Sequence, residues 1–318
     1  MGRSLTVVAG AVAAAVVIVG VQHVVSSDGP AHGDTPARSG SGRATPHATA
    51  DRASSAPGHC GHGRSDYIHV RDRTAHGGHR EIWVHRPPGP DRADIPVLYM
   101  LHGSTTDDRL FPFVKLGKIL DKQMCRTGRS FVIAAPNGQT ADGRDTEFGD
   151  SADGKVHVES FITGTAIAKV EGNNRRPARL RAIGGVSMGG YGAAAIALRH
   201  PELYTRVASF AGYFKVDDPS HTFGRNKRKV AERHAPDHLI DRPGVRGIRF
   251  LLVEGKNDHT PLHPGSIHGE ADRFAKLLRA RRMSVTVLHP PGPHSFHKCW
   301  IKAIPEFADF LTAGWTRR

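Results

Sequence analysis

The sequence predicts an α/β protein, a single domain with a mostly parallel, doubly wound sheet and helices on both faces. Beyond residue 65, short β-branched runs alternate with longer helix-like segments, the order of elements found in such a fold. Several central runs are apolar almost throughout, as strands buried on both faces should be. The predicted strands are 67–70, 81–85, 97–101, 131–135, 180–186, 206–210, 249–253 and 285–288, and the predicted helices cover about 112–126, 158–171, 188–200, 269–282 and 300–313.

The first 25 residues have the composition of an export signal. Residues 5–21 carry no charge, the apolar character resumes at Val24, and Arg3 precedes the run. An apolar run of about 20 residues behind a basic residue is typical of a secretion signal and of a single membrane span. We expect an uncleaved signal anchor or a cleaved signal peptide. In both cases the rest of the chain is extracytoplasmic, either anchored to the membrane or secreted.

Residues 26–65 are predicted to form a disordered linker. They consist largely of Ser, Gly, Ala, Pro, His and Thr, with scarcely any large apolar side chain. Such a segment cannot bury enough surface to fold. The 318 residues still leave one large α/β domain at 66–318, long enough for a core that needs no crosslink.

The net charge of +14 resides mainly in that domain. Residues 1–65 hold five Arg and three Asp, a net of +2, which leaves +12 on residues 66–318. The basic clusters 225–229 and 279–282 match no nucleic-acid motif and are not interleaved with aromatic residues, so no nucleic-acid partner is predicted. They indicate a solvated basic surface or attraction to an anionic cell-envelope surface.

Three cysteines, Cys60, Cys125 and Cys299, allow one disulfide and one free thiol in an oxidising compartment. The sequence leaves the three pairings open. His59, Cys60 and His62 lack a second pair of ligands, so no metal site is predicted.

The strongest chemical signal surrounds Ser187. A predicted strand runs into this serine, an Ala-rich predicted helix starts immediately after it, and Gly185 and Gly189 lie two residues to either side. A nucleophile elbow needs this arrangement, because the serine has a strained backbone and the glycines permit close packing of strand and helix. The start of the helix also directs free N–H groups toward charge that develops beside the serine. Ser187 is therefore the predicted nucleophile.

The residues that would stabilise an oxyanion follow from the same argument. One donor is the backbone N–H of Met188, directly after the nucleophile. The second is expected from the loop that begins with His102 and Gly103 after the third strand, where Ser104 is placed to donate its N–H. An ordinary Gly-containing turn is the alternative for this loop.

The predicted base is His294, which follows a strand, lies in a Pro/Gly-rich loop and precedes the last helix. Histidine suits the role because it can accept the serine proton and return it to the leaving group. His289 and His297 are the alternatives.

The predicted acid is Asp258, just past the strand at 249–253. A carboxylate there can orient the imidazole. The three residues also follow one another along the chain in the order expected after a nucleophile elbow, which is serine, acid and then histidine. Glu254 and Glu270 are the alternatives, and Asp272 is expected on a helix surface.

These residues together resemble the esterase D family of the α/β-hydrolase superfamily. That family includes S-formylglutathione hydrolases, feruloyl and enterochelin esterase domains, and secreted mycolyltransferases of the antigen 85 type. The resemblance covers about residues 66–313 and is most specific at the elbow and at the terminal His-Ser-aromatic loop. It rests on Leu101-His102-Gly103, Ala135-Pro136-Asn137-Gly138, Gly185-Val186-Ser187-Met188-Gly189-Gly190-Tyr191-Gly192-Ala193, His200-Pro201-Glu202-Leu203-Tyr204, Gly255-Lys256-Asn257-Asp258 and His294-Ser295-Phe296.

The resemblance implies the α/β-hydrolase fold, a Ser187, Asp258 and His294 triad, and oxyanion donors at Ser104 and Met188. The Gly-x-x-Asp form at 255–258 resembles the ordinary esterases, whereas the mycolyltransferases use a glutamate farther along the chain. Residues 157–161, before the elbow, match only part of the aromatic-rich segment that the mycolyltransferases have at this place.

The predicted function is an extracytoplasmic serine carboxylesterase that forms an acyl-enzyme with a small-molecule or lipid ester and needs no cofactor. One alternative is an acyltransferase that moves the acyl chain to an envelope sugar. Another is a non-catalytic, matrix-binding protein on the same fold. The cap-like segments 137–157 and 213–247 are expected to shape the pocket, with Phe214 and Phe223 either bordering it or decorating the surface.

Overall fold

The structure is a computed structural model that describes residues 60–262 and 265–316. The predicted export signal at 1–25 and residues 26–59 of the predicted linker lie outside the described part. For residues 60–65, the rest of the predicted linker, the structure corrects the predicted domain boundary at 66. The first strand already begins at Arg64, and Cys60 is joined by a disulfide to Cys125.

A single eight-stranded sheet forms the centre of the domain, with the strand order β1-β2-β4-β3-β5-β6-β7-β10. The first two strands pair antiparallel, β2 pairs antiparallel with β4, and the remaining neighbours are parallel. All eight predicted strands are present. They are β1 Arg64–Arg71, β2 His79–Arg86, β3 Val97–Leu101, β4 Val132–Pro136, β5 Arg181–Val186, β6 Arg206–Phe210, β7 Arg249–Val253 and β10 Val285–Leu288, and a separate two-stranded ladder is formed by β8 Pro261–Leu262 and β9 Gly265–Ser266.

Helices cover both faces of this sheet. Every residue of β3 is buried; Val97, Tyr99 and Leu101 pack into one apolar cluster, whereas Leu98 and Met100 pack into the other. Side chains that alternate along a strand point to opposite faces, so a run that is apolar throughout requires a cover on each side. The predicted doubly wound α/β architecture is confirmed. The helices are α1 Leu110–Phe113, α2 Leu116–Thr127, α3 Val158–Ser160, α4 Ile167–Glu171, α5 Met188–Arg199, α6 Lys227–His234, α7 Pro236–Leu239, α8 Glu270–Ala280 and α9 Ile304–Thr312.

Three stretches differ from the predicted helices. The stretch 112–126 is divided between α1 and α2, because Lys115 adopts a left-handed backbone with φ of 58°. The stretch 158–171 is helical, but a wider π-type turn at Phe161–Ala166 lies between α3 and α4. The segment 213–247 contains α6 and α7, which the sequence did not predict because Val230 is the single buried residue of the charged α6. No described helix combines the length and the apolar character needed to cross a bilayer.

The disulfide joins the chain before β1 to the last half of α2. Beside it, Asp121 of α2 accepts hydrogen bonds from the Gly63 N–H at 3.0 Å and pairs with His85 of β2 at 2.9 Å. Cys299 is buried and carries the free thiol. The structure thus selects one of the three pairings that the sequence left open.

Candidate active site

Ser187 occupies the turn between β5 and α5, at the carboxyl end of a central strand. Its φ of 55° and ψ of −120° lie in a region that residues with a side chain rarely adopt, a strain on the order of 1–3 kcal/mol. The Ser187 N–H donates to the Phe210 carbonyl of β6 at 2.8 Å, which anchors the strained residue to the sheet. The backbone therefore has the conformation expected of a nucleophile elbow.

Gly185 and Gly189 make this turn sterically feasible. A Cβ atom on Gly189 would lie 2.2 Å from the Leu101 carbonyl oxygen, and one on Gly185 would lie 2.3 Å from the Gly189 oxygen. Both contacts are with backbone atoms, which cannot rotate away. The elbow consequently requires glycine at each position.

The loops after β7 and β10 bring Asp258 and His294 together. His294 Nδ1 lies 2.7 Å from Asp258 Oδ2, and the Asp258 side chain is fully buried. Its other oxygen accepts hydrogen bonds from the Thr260 hydroxyl at 2.7 Å and the Thr260 N–H at 3.2 Å. Burial acts to raise the pKa of the Asp258 carboxyl, but hydrogen bonds and the charge of His294 outweigh it. The pKa is therefore held below its ordinary value, and the carboxylate stays ionised.

The alternative acids have other partners. Glu254 accepts hydrogen bonds from the N–H groups of Gly269 and Ala271, at 2.7 and 2.9 Å, and so satisfies the start of α8. Glu270 forms two hydrogen bonds with Arg273 and accepts a third from the Phe214 N–H. Among the candidate carboxylates, Asp258 is thus the one hydrogen-bonded to the predicted base.

The alternative histidines are also accounted for. His289 Nε2 lies 3.2 Å from Asp272 Oδ1 on the exposed surface, and the ring of His297 packs edge-on against Phe296. His294 instead packs nearly perpendicular to the Trp300 ring, with ring centroids 5.0 Å apart. The Trp300 ring thus buttresses the imidazole from the side.

The free atoms of the candidate pair are available for chemistry. Among the described residues, neither the Ser187 hydroxyl nor His294 Nε2 has a hydrogen-bond partner. The Asp258 contact occupies Nδ1 of the imidazole, so Nε2 is the atom left to accept a proton. Catalytic hydrogen bonds of this type often tighten only when substrate is bound.

Ser104 and Met188 line the same small cavity, which has a volume of about 80 Å³. Met188 is the first residue of α5, and its N–H is one for which a helix provides no carbonyl partner. Gly103 packs close to the elbow, since a Cβ atom on it would lie 3.6 Å from Ser187 Cβ. The structure therefore brings the two predicted oxyanion residues to one cavity beside the serine.

His102 holds the loop that carries Ser104, a role that the sequence argument did not assign. Its Nδ1 donates to the Gly103 carbonyl at 2.8 Å, and its Nε2 accepts the Gly138 N–H at 2.9 Å. One donor and one acceptor define a neutral imidazole. Burial lowers the pKa of His102 to about 4, so the ring stays neutral near pH 7. The His-Gly pair directly after a buried strand was the sequence feature from which this role of His102 could have been predicted.

Comparison with protein-family models matches residues 74–309 to the family described as "Putative esterase". The chain belongs to this esterase family. It is therefore a serine hydrolase that acts on ester bonds, and the non-catalytic interpretation of the sequence is set aside. Among curated proteins, no sequence matches that of this esterase.

Solved structures agree with the fold. An S-formylglutathione hydrolase from Agrobacterium tumefaciens is 18% identical, with a TM-score of 0.66, and the match covers 80% of this chain and 96% of the other. A ferulic acid esterase is 16% identical with a TM-score of 0.64, covering 80% and 99%. The fluorophosphonate-binding serine hydrolase F of Staphylococcus aureus is 17% identical with a TM-score of 0.63, covering 79% and 99%. At these identities the likeness shows the α/β-hydrolase fold.

The esterase also has two carboxyl groups at or near the small cavity, the half-buried Asp145 and the buried Glu147, which the sequence did not predict. Asp145 lines the cavity itself. Glu147 is buried, and one of its oxygens accepts a hydrogen bond from the Tyr213 hydroxyl at 2.6 Å. Burial, and then the charge of Asp145, raises the pKa of Glu147 well above its ordinary value. Glu147 and Phe148 both have positive φ values, so the turn that contains them has a strained backbone.

No cluster of three or more His, Cys, Asp or Glu side chains suited to a metal ion occurs within 60–262 and 265–316. Cys60, one of the three residues considered for zinc in the sequence, is instead in the disulfide.

Proposed function

We propose that this esterase is a carboxylesterase that acts through a covalent acyl-enzyme on Ser187, with His294 as base and acid and Asp258 as the orienting carboxylate. The observation that carries the proposal is the 2.7 Å contact of His294 with the buried Asp258. It fixes the imidazole with Nε2 as the proton acceptor, on the fold that also presents a strained serine.

In the first half-reaction, Ser187 Oγ attacks the ester carbonyl carbon while His294 Nε2 takes the hydroxyl proton. The carbonyl oxygen becomes an oxyanion, which accepts hydrogen bonds from the N–H groups of Met188 and Ser104. When the intermediate collapses, the bond to the alkoxide breaks and His294 returns the proton to it. The alcohol leaves, and the acyl group remains esterified to Ser187.

In the second half-reaction, water takes the place of the alcohol. His294 removes a proton from the water, the hydroxide oxygen attacks the acyl carbon, and the same N–H groups hold the oxyanion. Collapse breaks the bond to Ser187 Oγ, which recovers the proton from His294. Asp258 remains ionised throughout and stabilises the imidazolium. Its lowered pKa supports that assignment.

An extracytoplasmic location is part of the proposal, with the membrane reached through the N-terminal segment. The apolar run at 5–21 supports export, and a disulfide between two of the three cysteines suits an oxidising compartment. The substrate class is a small-molecule or lipid ester, and the basic surface fits an anionic cell envelope.

The proposal is tested with the full chain and p-nitrophenyl esters. Ser187→Ala is expected to lower kcat by at least about 10³-fold, since the nucleophile is lost. Ser104→Ala is the matched control, because it removes a hydroxyl but retains the backbone N–H proposed as oxyanion donor. It should keep at least about a third of the activity. Undiminished turnover by Ser187→Ala would refute the triad.

In the alternative reaction, acyl transfer, the hydroxyl of an envelope sugar instead of water would take the acyl group from Ser187. We propose hydrolysis because the Gly-x-x-Asp form at 255–258 resembles the ordinary esterases. Mass spectrometry of a labelled lipid ester incubated with trehalose separates the two. Free acid alone is expected, whereas acylated trehalose would identify a transferase.

A further inference from the structure

A second cavity, of about 640 Å³, lies in the segment that follows β6. One wall is the loop that contains Lys215 and Pro219, and the other is formed by α6 and α7. None of the proposed triad or oxyanion residues lines it. The volume is within the range of ligand pockets, roughly 300–1,000 Å³.

Five apolar residues line part of this cavity, which we call the cap cavity. Val216 and Pro219 line it from the loop, and Val230, Ala231 and Ala235 line it from the helical side. Ala231 and Ala235 are four residues apart, so they lie on one face of the helical segment. Their small side chains leave the space that larger residues would fill.

Three cations surround this apolar interior. Lys215, Arg225 and Lys227 line the cap cavity, and all three residues are exposed. None of the three forms an ion pair with an acidic side chain in the part of the chain that the structure describes. By contrast, Arg228 of α6 lies 3.7 Å from Glu232. Arg225 and Lys227 are therefore available to bind an anion, and so is Lys215, whose charge also helps to lower the pKa of the Glu270 carboxyl.

Two carboxylates, Asp218 and Asp237, also line the cap cavity. Asp218 accepts the N–H groups of Thr222 and Phe223, one on each oxygen, at 2.7 and 2.9 Å. Asp237 Oδ2 lies 2.9 Å from Arg273 Nη1, whereas its buried Oδ1 has no hydrogen-bond partner among the described residues. Arg273 offsets the charge of Asp237, and the three cations outnumber Asp218, the one lining carboxylate without an ion-pair partner in the described part of the chain.

We propose that the cap cavity binds an amphiphilic carboxylate, with the apolar chain on Val216 and Val230 and the carboxylate on Lys215, Arg225 and Lys227. The apolar interior disfavours a small inorganic anion, and the unpaired cations disfavour a neutral or cationic lipid. This binding site is separate from the residues proposed for catalysis, so it goes beyond ester hydrolysis.

The test is isothermal titration of the full chain with decanoate, below the concentration at which decanoate forms micelles. The double variant Arg225→Ala with Lys227→Ala is expected to weaken decanoate binding by at least about tenfold. Arg228→Ala is the control, since it removes one positive charge from α6 outside the cavity. It should leave the affinity within about twofold of wild type.

Two further ligands test both parts of the site. Decanol has the chain without the charge and acetate has the charge without the chain, so each should bind at least about tenfold more weakly than decanoate. Equal affinity for decanol or for acetate would overturn the proposal, as would an unchanged affinity in the double variant or an equal loss in Arg228→Ala.

The measurement is independent of the proposed catalysis. Ser187→Ala should bind decanoate as wild type does, because Ser187 does not line the cap cavity. If the triad assignment failed, this binding result would stand. If the double variant bound normally while Ser187→Ala lost turnover, the cap site alone would be refuted.

Discussion

At the residue scale, two buried glutamates show how surroundings set opposite charge states. Glu147 faces Tyr213 and the nearby Asp145, and burial followed by the Asp145 charge raises its pKa well above the ordinary value. Glu159 is also buried, but hydrogen bonds and charges from His200 and Arg199 outweigh burial and lower its pKa to about 2. The first is held as an acid and the second as a carboxylate.

These shifts predict opposite pH dependences of stability. A group whose pKa is higher in the folded than in the unfolded protein stabilises the fold at pH values below its unfolded pKa. That stabilisation is lost as the pH rises through the folded pKa. Glu147→Gln should therefore raise the Tm relative to wild type more at pH 8 than at pH 4.5, since glutamine can still accept the Tyr213 hydrogen bond. Thermal unfolding at both pH values measures the difference.

Glu159→Gln is the matched comparison, with the opposite sign. A lowered folded-state pKa contributes stability above the unfolded pKa, and this is lost as pH falls toward about 2. The variant should be destabilised at pH 8 and less so at pH 4.5, because Arg199 loses its charged partner. The same pH trend in both variants would contradict the assignment of charge states.

At the element scale, the elbow depends on how closely α5 approaches β3. Gly189 lies where any Cβ atom would overlap the Leu101 carbonyl, at 2.2 Å. Neither the strand nor the helix can shift without losing buried contacts with the sheet. The close approach is therefore set by the packing of α5 against β3. The strained Ser187 is held at their junction.

Gly189→Ala is therefore expected to destabilise the fold by at least about 3 kcal/mol, the upper end of overpacking costs, and to abolish ester hydrolysis. Gly164→Ala is the control, because a Cβ atom there meets nothing within 4 Å. In a helical stretch it should be neutral or stabilising by up to about 1 kcal/mol. Urea unfolding and turnover of p-nitrophenyl esters report both effects, and wild-type behaviour of Gly189→Ala would refute the close packing.

At the scale of the whole molecule, the disulfide closes a long part of the chain. Cys60 and Cys125 are 65 residues apart, and the enclosed segment contains β1, β2, β3 and most of α2. A crosslink of this kind restricts the unfolded chain more than the folded one. The strands at this edge of the sheet are thereby tied to α2 on one face.

Replacing both cysteines by serine is expected to lower the free energy of unfolding by about 4 kcal/mol, the chain-entropy value for a loop of this length. Urea unfolding of wild type and of the Cys60→Ser, Cys125→Ser variant gives the difference. Dithiothreitol should bring wild type to the same midpoint and leave the variant unchanged. A midpoint that reductant also shifts in the variant would mean that the disulfide is not the cause.

The sequence determined by itself those features that local pattern encodes. Strands buried on both faces need continuous apolar runs, which identify β3 and β4, and a strand, a serine between glycines and a helix specify the elbow at Ser187. His294 and Asp258 could be chosen from chain order and from the loops that follow their strands. Whether the two meet depends on how those loops fold, and the order alone left other acids and histidines open.

Only the tertiary structure decided the features that depend on distant partners. The pairing of Cys60 with Cys125, the neutral state of His102 and the free cations of the cap cavity each depend on atoms brought close by the fold. Helix α6 was missed because its single buried residue, Val230, leaves almost no periodic signal, and its place in the fold comes from packing. Local patterns record burial and turns, whereas proximity between remote residues exists only once the chain has folded.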